Sequence, residues 1–288
     1  MSASVVRDIE LPGRGQCRVR QLQGPQGAPT ALLLHGWTAT ADLNWGACYA
    51  GLSEHVNVVA LDQRGHGRGV RGSFSLEACA DDAAALIEIL GTGPVIAVGY
   101  SMGGPVATLL WRRHPELVAG MVLCATASHF AVTSLEQLAL SALAAFARPA
   151  GRVPRPALRT MRALAGGVRS WTGPGWRRAA LDVIGRHDLT AILQAARALV
   201  GYRSDSWLGV IEAPVAVVMT TADHLVPPGR QLRLAQAIPA CSLFAVDGDH
   251  GVCSLRPERF VPALLAALAD VGSRAENRRG LLPPPVAA

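Results

Sequence analysis

The chain has 288 residues, half of them hydrophobic, and a formal net charge of +6 in which every basic side chain counted is arginine. That is long enough for one α/β domain with an insertion and apolar enough for a large core, while no apolar run approaches the ~18 residues of a membrane-spanning helix, and the basic balance comes without zinc-finger spacing or an RNA-binding aromatic motif, which argues against a nucleic-acid partner. Residues Met1 to Asp8 lack the charged-then-apolar pattern of a secretory leader, and Cys17, Cys48, Cys79, Cys124, Cys241 and Cys253 lie far apart with no CxxC pair, so unpaired thiols in a cytoplasmic setting are expected, with neither a disulfide framework nor a metal site.

In chain order, short apolar runs alternate with longer helical patterns. Strands are expected at Thr30 to Leu34, Val56 to Leu61, Pro94 to Val98, Ala119 to Cys124, Val215 to Met219 and Ser242 to Val246. Runs that are apolar throughout suit strands buried on both faces of a parallel sheet. Helices are expected near Asn44 to Glu54, Leu76 to Leu90, Met102 to His114, Gly229 to Ala237 and Pro257 to Ala269. This alternation predicts a doubly wound, mostly parallel α/β sheet. The rhythm breaks from Ser128 to Trp207, where Ala, Leu and Arg at helical spacing are interrupted by Gly and Pro. The expected organisation is a core of residues 1–127 and 208–273, a helical cap over 128–207, and a Pro-rich disordered tail over 274–288.

At "VGYSMGGPVA", residues 98 to 107, the third apolar run meets a helical pattern, and Ser101 sits there between Gly99 and Gly103. Glycines around a residue at a strand-to-helix switch allow a sharp turn. The turn lifts the serine above the C-terminal edge of the sheet, where ligands bind in such folds. The following amide belongs to a helix N-terminus, which favours negative charge. The pattern is the Gly-x-Ser-x-Gly nucleophile elbow; a serine N-cap at an ordinary junction is the simpler alternative.

A nucleophilic serine needs a base, a carboxylate to orient the base, and amides for the developing oxyanion. In the fold that carries this elbow the acid and then the histidine follow in chain order. His250, in Val246-Asp-Gly-Asp-His-Gly251, follows the last expected strand; Asp223, in Thr220-Thr-Ala-Asp-His-Leu-Val-Pro227, follows the strand before it. Both loops open at the edge that carries Ser101. His224 adjoins Asp223 and points away from it, and His114 ends a helix, where it complements the dipole. Asp247 and Asp249 are too near His250 in sequence to reach back around its ring and are read as shaping the turn; for Asp223 the simpler alternative is an ordinary turn residue in a Gly/Pro/Asp loop. For the oxyanion, the Met102 amide is one candidate donor and the Trp37 amide, after Gly36, the other. His35 is read as structural, its imidazole bonded to loop carbonyls.

"LLLHGW" at 32 to 37, "LDQRGHG" at 61 to 67 and "GYSMGG" at 99 to 104, followed by "TADHLVP" and "GDHGV", resemble the α/β-hydrolase superfamily, in its branch with a helical cap. The resemblance spans about Thr30 to Ala125 and Ala213 to Val271. It implies serine-hydrolase chemistry with no metal and no organic cofactor, and it implies structural roles for Asp62, Arg64 and Gly65. Epoxide hydrolases and haloalkane dehalogenases of this fold carry aspartate at the elbow, so Ser101 argues against both. Many carbon–carbon-bond hydrolases have Trp after the catalytic His; here Gly251 and Val252 follow. "HGW" with "GYSMGG" is similar to esterases and cofactor-free haloperoxidase-like members.

The expected activity is cleavage of an apolar carboxylic ester or thioester through an acyl-enzyme on Ser101, with His250 as base, Asp223 as its orienting acid, and the Trp37 and Met102 amides on the oxyanion. Acyl transfer and carbon–carbon cleavage use the same machinery, and a ligand-binding protein can keep the fold without turnover. The cap is expected to set acyl preference, with Trp171, Trp176 and Trp207 among its large side chains. Between 148 and 186 it holds nine arginines (Arg148, Arg152, Arg155, Arg159, Arg162, Arg169, Arg177, Arg178 and Arg186) against one acid, Asp182. This reads first as a solvated face; the sharper alternative is attraction to an anionic lipid surface or a CoA-type leaving group.

Overall fold

The computed structural model describes residues 4–130 and 188–281. Its chain opens with a hairpin of two strands, β1 (Ser4–Leu11) and β2 (Gly15–Leu22). Then come β3 (Thr30–Leu34), α1 (Ala41–Trp45), α2 (Tyr49–Ser53), β4 (Asn57–Leu61), α3 (Leu76–Leu90), β5 (Val95–Tyr100), α4 (Gly103–Arg113) and β6 (Val118–Cys124). After residue 187 follow α5 (Leu189–Gly201), β7 (Val215–Thr220), α6 (Pro228–Ala237), β8 (Ser242–Val246), α7 (Val252–Leu255) and α8 (Pro257–Leu281). The eight strands form one sheet in the order β1-β2-β4-β3-β5-β6-β7-β8. The β1–β2 and β2–β4 pairings are antiparallel, and all later ones are parallel.

The apolar runs follow from two cores, one on each face. Leu32, Leu34, Met121, Leu123, Val215 and Val217 enter the core beneath α3, α4 and α5. Their neighbours Ala31, Leu33, Val122, Cys124, Ala216 and Val218 enter the core beneath α2, α7 and α8. Successive strand residues face opposite ways, so a strand covered on both sides needs an apolar residue at every position. The hairpin differs: Cys17 and Val19 turn inward, whereas Arg18 and Arg20 turn outward to Asp8 and Asp42. Local signals bound α3 at the expected residues, since the Ser75 hydroxyl accepts from the Ala78 amide at 3.0 Å and Gly91 ends the helix in the left-handed region.

Two expectations are corrected. The single helix expected from Asn44 to Glu54 is the pair α1 and α2, because a Thr40 cap starts the first and the chain turns at Gly46 to Cys48 before the second. The tail expected from 274 is helical through Leu281 as part of α8. Val271 and Ala275 are buried, and Arg274 donates at 2.7 Å to the carbonyls of both Ala240 and Val215. Residues 282–288 lie outside the described residues.

Of the expected cap, residues 131–187 lie outside the described residues, with Trp171, Trp176 and the nine arginines. Its return end, α5, is docked on the core. The Asp188 amide donates to the Gly65 carbonyl at 3.0 Å, the Phe74 amide to Gln194 Oε1 at 2.7 Å, and the Trp37 indole to the Ile192 carbonyl at 3.0 Å. Gly65, at a φ of 72°, leaves the space that Ala191 fills; a methyl on Gly65 would collide with the Ala191 side chain.

Asp81 joins α3 to the end of α4. It pairs with Arg113 at 2.7 Å and with His114 at 2.9 Å. Burial works to raise its carboxyl, but the hydrogen bonds from Arg113 and His114 outweigh it and hold the group at about 2. An acid with a depressed folded-state value stabilises the fold above its unfolded value of about 3.9, and the stabilisation is lost as pH falls toward 2. Asp81→Asn is therefore expected to lower the urea midpoint at pH 7 and to make progressively less difference as the pH is taken below 4.

Candidate active site

Because β5, β7 and β8 are parallel, their C-terminal ends share one edge, and the loops leaving them carry Ser101, Asp223 and His250. Ser101 has a φ of 52°, in the left-handed region that a non-glycine residue occupies only under constraint. The constraint is visible: its amide donates to the Cys124 carbonyl at 2.9 Å, and its carbonyl accepts from the Thr126 hydroxyl at 2.8 Å and the Gly104 amide at 3.0 Å. The flanking glycines are required by close approach. A methyl at Gly99 would fall on the Gly103 carbonyl, and one at Gly103 on the Leu34 carbonyl.

The three side chains form one hydrogen-bonded line. The Ser101 Oγ to His250 Nε2 distance is 3.0 Å, and His250 Nδ1 lies 2.7 Å from Asp223 Oδ2. Asp223 is fully buried at its side chain. Burial works to raise its carboxyl; the hydrogen bond and charge of His250, the Val226 amide and the Thr220 hydroxyl together hold it below the usual carboxylate range. The ionised oxygen accepts, so Nδ1 carries the imidazole proton and Nε2 is left to accept from the Ser101 hydroxyl. Oδ1 accepts from the Leu225 and Val226 amides at 2.8 and 2.9 Å, and Oδ2 from the Thr220 hydroxyl at 2.9 Å. The Tyr100 hydroxyl donates to the His250 carbonyl at 2.8 Å, with the two rings edge to face at 5.6 Å.

The rival residues stand elsewhere. Asp249 accepts from the Gly251 amide at 2.9 Å and shapes the turn, while Asp247 meets Arg259 at the surface. His224 is exposed, and His114 is bound to Asp81. Asp62 accepts from the Ala41 and Arg68 amides, Arg64 grips Asp82 through two hydrogen bonds, and both act as braces of the loop beneath α5. His35 donates from Nδ1 to the Gly36 carbonyl at 2.8 Å and accepts at Nε2 from the Gln63 amide at 2.9 Å. The loop that carries Trp37 abuts the serine: a methyl on Gly36 would sit 3.4 Å from Ser101 Cβ. The Trp37 and Met102 amides find no acceptor among the described residues. Trp207 is not over the serine. It lies under the Arg112 guanidinium at 4.6 Å, at the far end of α4, and Arg112 is roughly 14 Å along the axis from Gly103 at the ordinary helical rise. Among the described residues no group of three or more His, Cys, Asp or Glu side chains is arranged to hold a metal ion.

Gln231 and Thr220 are supports that the sequence reading missed. Gln231 is fully buried; its Nε2 donates to the Thr220 hydroxyl at 2.8 Å and the Val226 carbonyl at 2.7 Å, bracing both ends of the Asp223 loop. The readable signal was a polar residue in register with Leu234 and Ala235 on the buried face of α6.

A mostly parallel eight-stranded sheet with a serine on a strained strand-to-helix turn defines a hydrolase fold, and a family model described as the alpha/beta hydrolase fold matches residues 29–257. The chain belongs to that family and is an enzyme of it. It is 30% identical, over 84% of its length and 93% of the relative's, to RutD of Agrobacterium fabrum, assigned by name to carbamate hydrolysis. A 2-(acetamidomethylene)succinate hydrolase of Mesorhizobium japonicum is 28% identical over 82% of this chain and 86% of its own. Among solved structures, the enol-lactonase of Burkholderia xenovorans LB400 shares the fold with a TM-score of 0.75 at 24% identity, over 91% of this chain and all of the other. The esterase EaEST of Exiguobacterium antarcticum does so with a TM-score of 0.77 at 18% identity, over 92% and 100%.

Proposed function

We propose that the protein is a serine hydrolase of apolar carboxylic esters or thioesters, working in a reducing, cytoplasmic compartment without metal or organic cofactor. The observation that carries the reading is the unbroken line Ser101 Oγ–His250–Asp223, with bond lengths of 3.0 and 2.7 Å. Ser101 Oγ attacks the acyl carbon as its proton passes to His250 Nε2. The charge that forms on the carbonyl oxygen is met by the Trp37 and Met102 amides, the latter at the start of α4. Imidazolium formed beside Asp223 is stabilised by that buried carboxylate, and its Nε2 proton goes to the departing alkoxide or thiolate. Water then enters, His250 removes its proton, and the acyl-enzyme is hydrolysed. The six unpaired thiols support the compartment.

The test is a fluorophosphonate probe together with a panel of p-nitrophenyl acyl esters, acyl thioesters and carbamates. Labelling at Ser101 alone, with turnover of the esters, is expected. No labelling would mean a ligand-binding protein of this fold, and preferential turnover of the carbamates would move the substrate class toward that of the relative from Agrobacterium fabrum.

Across the ester series, kcat/KM is expected to rise with acyl length until the pocket is full, by up to ~0.8 kcal/mol or about four-fold per methylene. Trp171 and Trp176, which lie outside the described residues, are the candidates in this proposal for setting that length. Trp207→Ala is expected to leave the optimum length unmoved and to destabilise the fold by at least about 1 kcal/mol, since it packs on the core under Arg112. The chain-length profile and a urea midpoint on this one variant check both halves.

A further inference from the structure

Asn44 is a buried side chain in α1 that the chemistry above does not use. Its Oδ1 accepts from the Gly36 amide at 2.8 Å, and its Nδ2 donates to Cys253 Sγ at 3.5 Å. Cys253 lies in α7, three residues after His250; its thiol donates in turn to the Asn44 carbonyl at 3.1 Å, and the Ser254 hydroxyl donates to the same carbonyl at 3.1 Å and to that of Leu43 at 3.0 Å. One side chain therefore joins the loop against Ser101 to the turn that follows the base.

The bond to Gly36 has a specific mechanical effect. The Gly36 carbonyl is held by His35 Nδ1 at 2.8 Å and by the Ala39 amide at 3.3 Å. That carbonyl and the Trp37 N–H belong to one planar unit, so fixing the first directs the second to the opposite side. The other end of Gly36, its own amide, has Asn44 as its one partner among the described residues. Glycine is the residue freest to swing between backbone conformations, and Asn44 removes that freedom at the point where the loop touches the serine.

We infer that Asn44 is a positioning residue. It pins the Gly36 amide, and so the glycine that leads into the Trp37 N–H, beside Ser101 and, through Cys253, keeps that glycine and the His250 turn in one rigid unit, so the anion-binding amide and the base hold their spacing through the reaction. The inference rests on the ester-hydrolase reading for its kinetic part and on the hydrogen bonds alone for its structural part.

The experiment compares wild type with Asn44→Ala and Asn44→Asp, the second retaining an acceptor for the Gly36 amide while losing the donor to Cys253. Competent sites are counted with a chromogenic phosphonate, and kcat is expressed per counted site. For Asn44→Ala, kcat is expected to fall up to about 100-fold with little change in KM, and affinity for an alkylboronic acid to fall by the same factor. Amide hydrogen exchange is expected to quicken in two separated segments, 35–38 and 251–255, and to be unchanged in β5 and β6. Asn44→Asp is expected to restore most of kcat and the protection at 35–38, leaving 251–255 fast. An unchanged kcat per site, a loss confined to KM or to the number of competent sites, or quickened exchange in only one of the two segments overturns the inference. Should Asn44→Ala not fold, the split between the two segments in Asn44→Asp decides. Should wild type turn over no ester, the ester-hydrolase reading fails, and the exchange pattern alone decides the link between the loops.

Discussion

Ser101→Ala is expected to leave the fold intact and to remove nearly all ester turnover, on the order of a million-fold in kcat. The side chain protrudes from a turn whose conformation is set by backbone bonds to Cys124, Thr126 and Gly104, none of which uses its hydroxyl. Alanine tolerates that backbone no worse than serine, so circular dichroism and the melting temperature should match wild type. In the proposed mechanism the serine hydroxyl forms the acyl bond, and its loss removes the hydroxyl that faces His250 Nε2. Turnover within about ten-fold of wild type, measured with the best ester of the panel, would remove Ser101 from the mechanism.

Asp223→Asn is expected to lower kcat by on the order of ten thousand-fold, with Asp247→Asn and Asp249→Asn within a few-fold of wild type. Asparagine can occupy the same volume and still accept at one oxygen, so the loop that gives it the Leu225 and Val226 amides persists. What fails is the pairing with His250. An amide nitrogen facing Nδ1 is a donor meeting a donor, so the ring adopts the other tautomer, and Nε2 then carries a proton and cannot accept from Ser101. Asp247 is bonded to Arg259 and Asp249 to a turn amide, so neither substitution reaches the imidazole. Parallel kinetics on the three variants settle the choice; a larger loss at Asp247 or Asp249 would assign the orienting carboxylate to that residue instead.

That Ser101, Asp223 and His250 come together was legible because each follows an apolar run, and parallel runs end at one edge. The fold class was legible for the same reason: a strand covered on both faces cannot carry polar residues without leaving buried groups unpaired. The β1–β2 hairpin was not, since its outward positions are Arg18 and Arg20 and its pattern resembles a surface segment until Asp8 and Asp42 supply partners. The end of α8 was misread as a tail because the prolines at 283 to 285 were taken to mark the whole segment from 274; Arg274 is instead spent on the Val215 carbonyl at the start of β7 and the Ala240 carbonyl in the turn before β8. Asn44 and Gln231 gave little signal, because the meaning of a buried amide lies in its partners. Those of Asn44 stand eight residues before it and 209 after it.

The docking of α5 bears on how such a protein could acquire a new substrate range. Trp37 follows the glycine that abuts Ser101 and gives its indole to the Ile192 carbonyl, so the loop beside the serine is also an anchor of α5. Replacing only residues 131–187 by a foreign cassette leaves that anchor, the Asp188 and Gln194 bonds and the Gly65–Ala191 contact in place. Replacing the whole of 128–207 discards them and frees the indole beside the serine. Exchange at the inner boundaries is therefore expected to leave the loop beside Ser101 as the recipient has it, whereas exchange at the outer ones is expected to disturb that loop as well.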